Sequence, residues 1–436
     1  MLSCRSAWYI RIVMADDELI AIDVPYGPDT TVVRVPKRNL MGMIRPKPAP
    51  IKDELATLHA ALSHPIASEP FAQFVSHRGE ETLVVVNDAA RPTPTAQVLP
   101  ALLETAKGAD LYFAVATGAH GSPTWKEMVS ILGDLHEKLA PRTFIHDCHN
   151  KADMVNLGRT SRGTNVSLNR LLLDADRTVI LGSVEPHYFA GYTGGRKSLL
   201  PGLSAFETIE QNHSLALLPG VMPLALKKNP VHEDMVEGVA LLKNKPIFAI
   251  NLVLDRDQKI YAATAGELGA SFMAATKRAD EIYVMPIRKR ADVVVSVARS
   301  PLDRDLYQLQ KTLEHGLLAV KDGGVLVLVS QCSNGVGERS YIELIRQLGD
   351  PKQVIKRVRQ DPVFGCHKAG RLAQAALRVK LFAVTDLDPN IIRDVFAEPY
   401  SFMQQAIDSA LRLAGPDADM LFLMNGSVTV PTLLDT

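Results

Sequence analysis

Short β-branched runs alternate with stretches of helix length along most of this chain, and that alternation constrains its fold more than any other feature. The runs TLVVVND (82–88), LYFAVAT (111–117), RTFIHD (142–147), RTVILGSV (177–184) and PIFAINLVL (246–254) read as strands. So do EIYVMPI (281–287), ADVVVSVA (291–298), GVLVLVS (324–330) and LFAVTD (381–386). Amphipathic stretches at 95–107, 124–139, 268–278 and 340–348 read as helices between them. Strands that carry apolar residues on both faces, joined through helices, predict an α/β protein built on mainly parallel sheets. At 436 residues the chain is long enough for two or three units at about 150 residues each. A fresh run of strands after the helix at 268–278 puts the junction of two α/β lobes near residue 275. The expected division is therefore 1–275 and 276–436, with the active site in the crevice between the lobes. MLFLMNG (420–426) could pack back on either lobe. Residues 15–75, with PYG, VPK and IRPKPAPIKDE, read as a β-rich, proline-punctuated leading segment and linker.

Composition narrows the function classes. Lys and Arg total 48 and so do Asp and Glu, a balance without the basic footprint of a nucleic-acid binder. The longest apolar runs fall well short of the ~18 residues of a membrane-spanning helix. Arg5 and Arg11 interrupt the first apolar stretch, and Met14 is a second candidate start. Cys4, Cys148, Cys332 and Cys366 are scattered and form no CxxC pair, which points to a reducing, cytoplasmic compartment.

Chemistry gathers at strand ends, where open α/β sheets place their ligands. Asp88 and Arg91 lie in DAARPTP, His120 in GAHGSPTWKE, His187 and Lys197 in EPHYFAGYTGGRKSLLPG, His213 in QNHS, and Tyr307, Gln308 and Lys311 in LYQLQK. An isolated histidine or lysine at a strand end is usually a surface residue; four strand ends in succession point to one site. GYTGGRKS (191–198) nearly matches a phosphate loop, but Arg196 stands where that loop needs glycine, and Pro201 follows too soon for its helix. Glycines at 191, 194 and 195 still require a close backbone approach. HDCHN (146–150) carries soft metal ligands without a full shell and reads as structural. CSNGVGERS (332–340) is consistent with ligand contact or with a plain loop. A nicotinamide-dependent dehydrogenase would want G-x-G-x-x-G after the first strand, where AARPTP stands instead. A non-catalytic nucleotide-binding or carrier protein is the other alternative.

Taken in order over residues 80–315, these motifs resemble the nickel-dependent lactate racemase family, and CSNGVG extends the resemblance to about 337. The resemblance implies a racemase or epimerase that inverts carbon 2 of a 2-hydroxy acid by reversible hydride transfer. It implies nickel and a nickel-pincer nucleotide (pyridinium-3-thioamide-5-thiocarboxylic acid mononucleotide) linked covalently to Lys197, with His213 as the nickel ligand. It also implies His120 and His187 as acid/base pair, and Arg91, Lys311, Gln308 and Tyr307 beside the substrate. Asp88, Gly194 and Gly195 are expected on the cofactor side. Cofactor-biosynthesis proteins would load the enzyme. The motifs do not set the substrate's side chain, so lactate, malate, longer or aromatic acids and sugar acids all stay open.

Overall fold

The structure is a computed structural model and describes residues 18–50, 53–360 and 365–434. Cys4, Arg5, Arg11 and Met14 lie outside the described residues. A hairpin of β1 (Leu19–Tyr26) and β2 (Asp29–Pro36) comes first, then β3 (Leu40–Ile44). The first lobe is a six-stranded sheet of β4 (Glu81–Asn87), β5 (Asp110–Ala116), β6 (Thr143–Ile145), β7 (Arg177–Ser183), β8 (Ile247–Leu254) and β9 (Ile260–Glu267). Its order is β9-β8-β7-β4-β5-β6, parallel except at the β8–β9 edge. Helices cover both faces, so Leu83–Val86 and Val179–Leu181 are buried without a break, as the apolar runs require. Strand order reverses between β4 and β7, which opens a crevice beyond their C-terminal ends.

The second lobe holds β10 (Ala291–Val297), β11 (Val320–Val329), β12 (Lys380–Val384), β13 (Ala397–Tyr400) and β14 (Met420–Leu423). Its order is β13-β12-β11-β10-β14-β3, parallel throughout. The sheets are thus mainly parallel and the fold is the α/β class expected.

The division at residue 275 needs correcting in two places. Strand β3, from the N-terminal segment, forms the outer edge of the second sheet against β14. The hairpin follows it: Ile22, Val24, Val33 and Val35 are buried against Val293, Val295, Val297 and Val327. Their alternation gives the hairpin one apolar face, and only the second lobe offers a surface for it. Residue 275 itself lies inside a helix, Leu268–Tyr283, which also shortens the expected strand at 281–287 to Val284–Ile287. MLFLMNG does not pack on the first lobe; its strand is interior to the second sheet. The linker segment also contains two helices, Glu54–Ser63 and Phe71–Val75.

Candidate active site

A cavity of about 490 Å³ opens where the strand-end loops of the first lobe meet the second. Asp88, Arg91, His120, His187, Gly194, Lys197, His213, Tyr307, Gln308 and Lys311 all line it. Gly195 does not: it lies behind the wall, where a Cβ would come within 3.0 Å of Phe272.

The loops after β4 and β5 place Asp88 beside His120, with Oδ2 2.6 Å from Nδ1. A carboxylate at Nδ1 keeps that nitrogen protonated and leaves the Nε2 lone pair to the cavity. Burial pushes the Asp88 carboxyl up, but the hydrogen bond and charge of His120, the Arg91 charge and the Ala90 N–H outweigh it and hold it below its usual range.

His187 follows β7 and has the opposite arrangement. Its Nδ1 accepts long hydrogen bonds from the N–H groups of Ala190 (3.3 Å) and Phe189 (3.5 Å), so its proton at rest is on Nε2. Burial, then the charges of Lys197, Lys311 and Arg91, hold the imidazole well below its ordinary pKa. The glycine-rich turn that follows is a packing device and not a phosphate cradle. Arg196 turns inward, donates to the carbonyls of Ala190 (2.8 Å) and Tyr192 (3.1 Å), and lies over the Phe272 ring.

Lys197 therefore comes out of a short, buried turn, and its Nζ lies 5.4 Å from the centre of the Phe189 ring. No carboxylate pairs with it among the described residues. Burial and the charges of Arg91, Arg196 and Lys311 push its ammonium well below the usual lysine value. The imidazole of His213, in helix α1 (Phe206–Ser214), has its ring centre 4.9 Å from that of Phe189. Burial, with the charges of Lys197 and Lys368, takes it to about 3. The preceding Asn212 anchors that helix through Asp234, which also accepts from Thr160 and Thr164.

From the second lobe comes helix α2 (Leu306–Ala319), capped by Asp305, whose Oδ1 accepts from the Gln308 N–H at 2.7 Å. Spacing of i, i+1 and i+4 brings Tyr307, Gln308 and Lys311 to the cavity. Burial and the charges of Arg91 and Lys368 push Lys311 well down. The CSNGVGERS loop also reaches the site: Gly337 and Glu338 line the cavity, and the Val336 carbonyl accepts from the Tyr307 N–H. HDCHN does not. His146 bonds to the Ser204 carbonyl and the Asn169 side chain, away from the cavity.

Two neighbours escaped the sequence reading. Lys368 lines the cavity from helix α3 (Cys366–Arg378), and His367 packs its ring 5.9 Å from that of His213. Their only signal was a histidine–lysine pair in an ordinary amphipathic helix. Among the described residues no cluster of three or more His, Cys, Asp or Glu forms a metal site. A single imidazole at His213 needs its remaining donors from a ligand. An amine whose charged form is disfavoured beside a neutral imidazole, in a cavity whose cations outnumber their carboxylate partners, fits an anionic, lysine-linked metal cofactor.

Two α/β lobes with mainly parallel sheets, meeting at a cavity lined by histidines, lysines and an arginine, define a two-lobed α/β protein with a candidate active site. Comparison with known proteins says which kind. Residues 26–220 match the lactate racemase N-terminal domain and residues 287–430 the lactate racemase C-terminal domain. The chain belongs to the lactate racemase family, and is an isomerase. It is 29% identical over 420 residues to the lactate racemase of Thermoanaerobacterium thermosaccharolyticum, covering 93% of this chain and 97% of that one. To the lactate racemase of Lactiplantibacillus plantarum it is 28% identical, covering 94% and 99%. The lactate racemase apoprotein structure from T. thermosaccharolyticum superposes with a TM-score of 0.87 at 27% identity, covering 95% of this chain and all of that one. A Thermotoga maritima protein at 16% identity and a TM-score of 0.69, covering 87% of this chain and 98% of that one, shares the fold. The carrier and dehydrogenase alternatives give way to these findings. No helix among the described residues is long and apolar enough to cross a membrane.

Proposed function

We propose that the enzyme inverts carbon 2 of a small 2-hydroxy acid in the cytoplasm, after accessory proteins load a nickel-pincer nucleotide onto Lys197. One observation carries this reading: His120 and His187 open on the same cavity as Arg91, Lys197 and Lys311. When bound, the nucleotide supplies a hydride acceptor at carbon 2, which no side chain can be. The protein does the rest. The Lys197 amine, whose ammonium form burial and neighbouring cations disfavour, is the nucleophile for attachment, and the neutral His213 ring is a nickel donor. Arg91 gives a planar fork for the substrate carboxylate and Lys311 a point charge, with Gln308 and Tyr307 alongside. His120 Nε2 accepts the hydroxyl proton of one enantiomer. We assign His187 to the second enantiomer; to accept that hydroxyl proton at Nε2, its own proton must pass to Nδ1, which gives up the long bonds from the Ala190 and Phe189 N–H groups. The two rings are thus held differently but open on the same cavity.

The test is a panel of enantiopure 2-hydroxy acids with loaded protein, read by chiral chromatography. Inversion of at least one acid is expected; none, with loading confirmed by intact mass and nickel content, defeats the proposal. Lys197→Ala should abolish the covalent mass increment, and an adduct that persists on another residue would misplace the attachment.

A further inference from the structure

Arg91, Lys197, Arg304, Lys311 and Lys368 all line the cavity, and Arg304 is paired with Asp305. The acids that line it are engaged elsewhere. Asp88 holds His120, Asp305 caps α2, Glu127 closes a capping box with Thr124, and Glu338 accepts from the Ser340 N–H. Glu314, behind α2, is held by Arg371. In the reading proposed above, Arg91 and Lys311 take the substrate's own carboxylate and Lys197 takes the cofactor. Lys368 is left over.

Its surroundings look like a prepared subsite. The side chain is 3% exposed, its Nζ donates to the Tyr307 carbonyl at 2.7 Å, and it lies 3.6 Å from the centre of the Tyr307 ring and 5.4 Å from that of Tyr188. Carbonyl and ring faces fix an ammonium in position without neutralising it. Burial pushes the group down to about 7, against the more distant charges of Asp305 and Glu314, which raise it. Tyr307, which carries it, precedes Lys311 by four helical residues, about 6 Å along the axis. The Lys368 charge acts on Lys311 in the same cavity, so the two cations are near enough to share one small dianion.

We propose that Lys368 binds a second carboxylate, on the substrate's side chain, and that the preferred substrate is a short 2-hydroxy dicarboxylic acid. The inference rests on the racemase reading, and the experiment separates the two. With loaded enzyme, kcat/KM for malate should exceed that for lactate at least tenfold, the scale of one charge-assisted hydrogen bond. Lys368→Gln should cut that ratio tenfold or more while nickel content and adduct mass hold, and Lys368→Arg should restore part of it. Calorimetry gives a readout independent of turnover: succinate should bind the loaded protein at least tenfold more tightly than propionate, and Lys368→Gln should erase the difference. A wild-type preference for lactate together with no succinate advantage overturns the inference. So does a Lys368→Gln variant that sheds the cofactor with the ratio unmoved, since the cation would then serve the nucleotide phosphate. Failure to invert any acid, with succinate still preferred, defeats the racemase reading and leaves the subsite standing.

Discussion

At the scale of single residues, what separates His120 from His187 is what each Nδ1 meets: a carboxylate in one case, backbone N–H groups in the other. Both enantiomers of a substrate have the same free energy, so kcat/KM in the two directions must stay equal in any variant. His120→Ala and His187→Ala should therefore each lower both by roughly 10²–10⁴-fold, the usual contribution of a positioned proton-transfer group, with cofactor content retained. Steady-state kinetics from each enantiomer beside nickel analysis checks this; loss of cofactor in step with activity would mean that the ring only orders its loop. Buried imidazoles also set a pH dependence of folding. His213 is held near 3 by burial, against about 6.5 when unfolded. Below pH 6.5 the unfolded chain binds a proton that the folded chain refuses, so the apoprotein loses stability as pH falls from about 6.5 towards 3, by up to about 1.4 kcal/mol per pH unit for this group. His213→Asn should reduce that slope by this one group's share in denaturant titrations at pH 7.5, 6 and 5, the other buried histidines keeping theirs. An unchanged slope would show that another group carries it.

At the scale of elements, the strand-end loops hold their shape because backbone meets backbone. Gly191 sits at φ 76°, and a Cβ there would come within 2.2 Å of the Ala225 carbonyl oxygen. Gly191→Ala should cost about 2–3 kcal/mol, seen as a lower apoprotein Tm. Gly121→Ala, with nothing within 4 Å of its Cβ, should leave Tm close to that of the parent. Equal losses in the two would show that the clash at Gly191 relaxes freely. Such glycines were legible in the sequence as points of close approach, and the site histidines and lysines as strand-end residues, because α/β sheets gather ligands at one edge. Lys368 was not legible, since its place in the cavity depends on how helix α3 packs against Tyr188 and Tyr307. Gly195 was legible as a tight spot but not as one turned away from the cavity. The helices within 54–75 were masked by the prolines on either side of them.

At the scale of the whole molecule, the site exists only while both lobes are in place: one supplies the histidines, Arg91 and Lys197, the other Tyr307, Gln308, Lys311 and Lys368. Arg371, held within the second lobe by the buried Glu314 carboxylate, donates to the Ala216 carbonyl of the first lobe and so ties them. Two lobes and a crevice could be inferred from the order of strands. Assignment of residues 19–44 to the second lobe could not, because parallel edge pairing of β3 with β14 leaves no local trace in either strand. Enclosure between lobes bears on how hydrogen leaves carbon 2. A proton taken by an imidazole exchanges with water, since imidazolium N–H is labile. A hydrogen that leaves with its electron pair never joins that exchangeable pool and can return to the opposite face of the same molecule. Substrate deuterated at carbon 2 should therefore invert with most of its label retained, and unlabelled substrate turned over in heavy water should gain little deuterium at carbon 2. Mass spectrometry of the product at partial conversion reads both. The matching 2-keto acid should appear in trace on acid quench, because hydride departure passes through that oxidation state. Fast incorporation of solvent deuterium at carbon 2 would defeat the hydride route and leave a two-base proton transfer between His120 and His187.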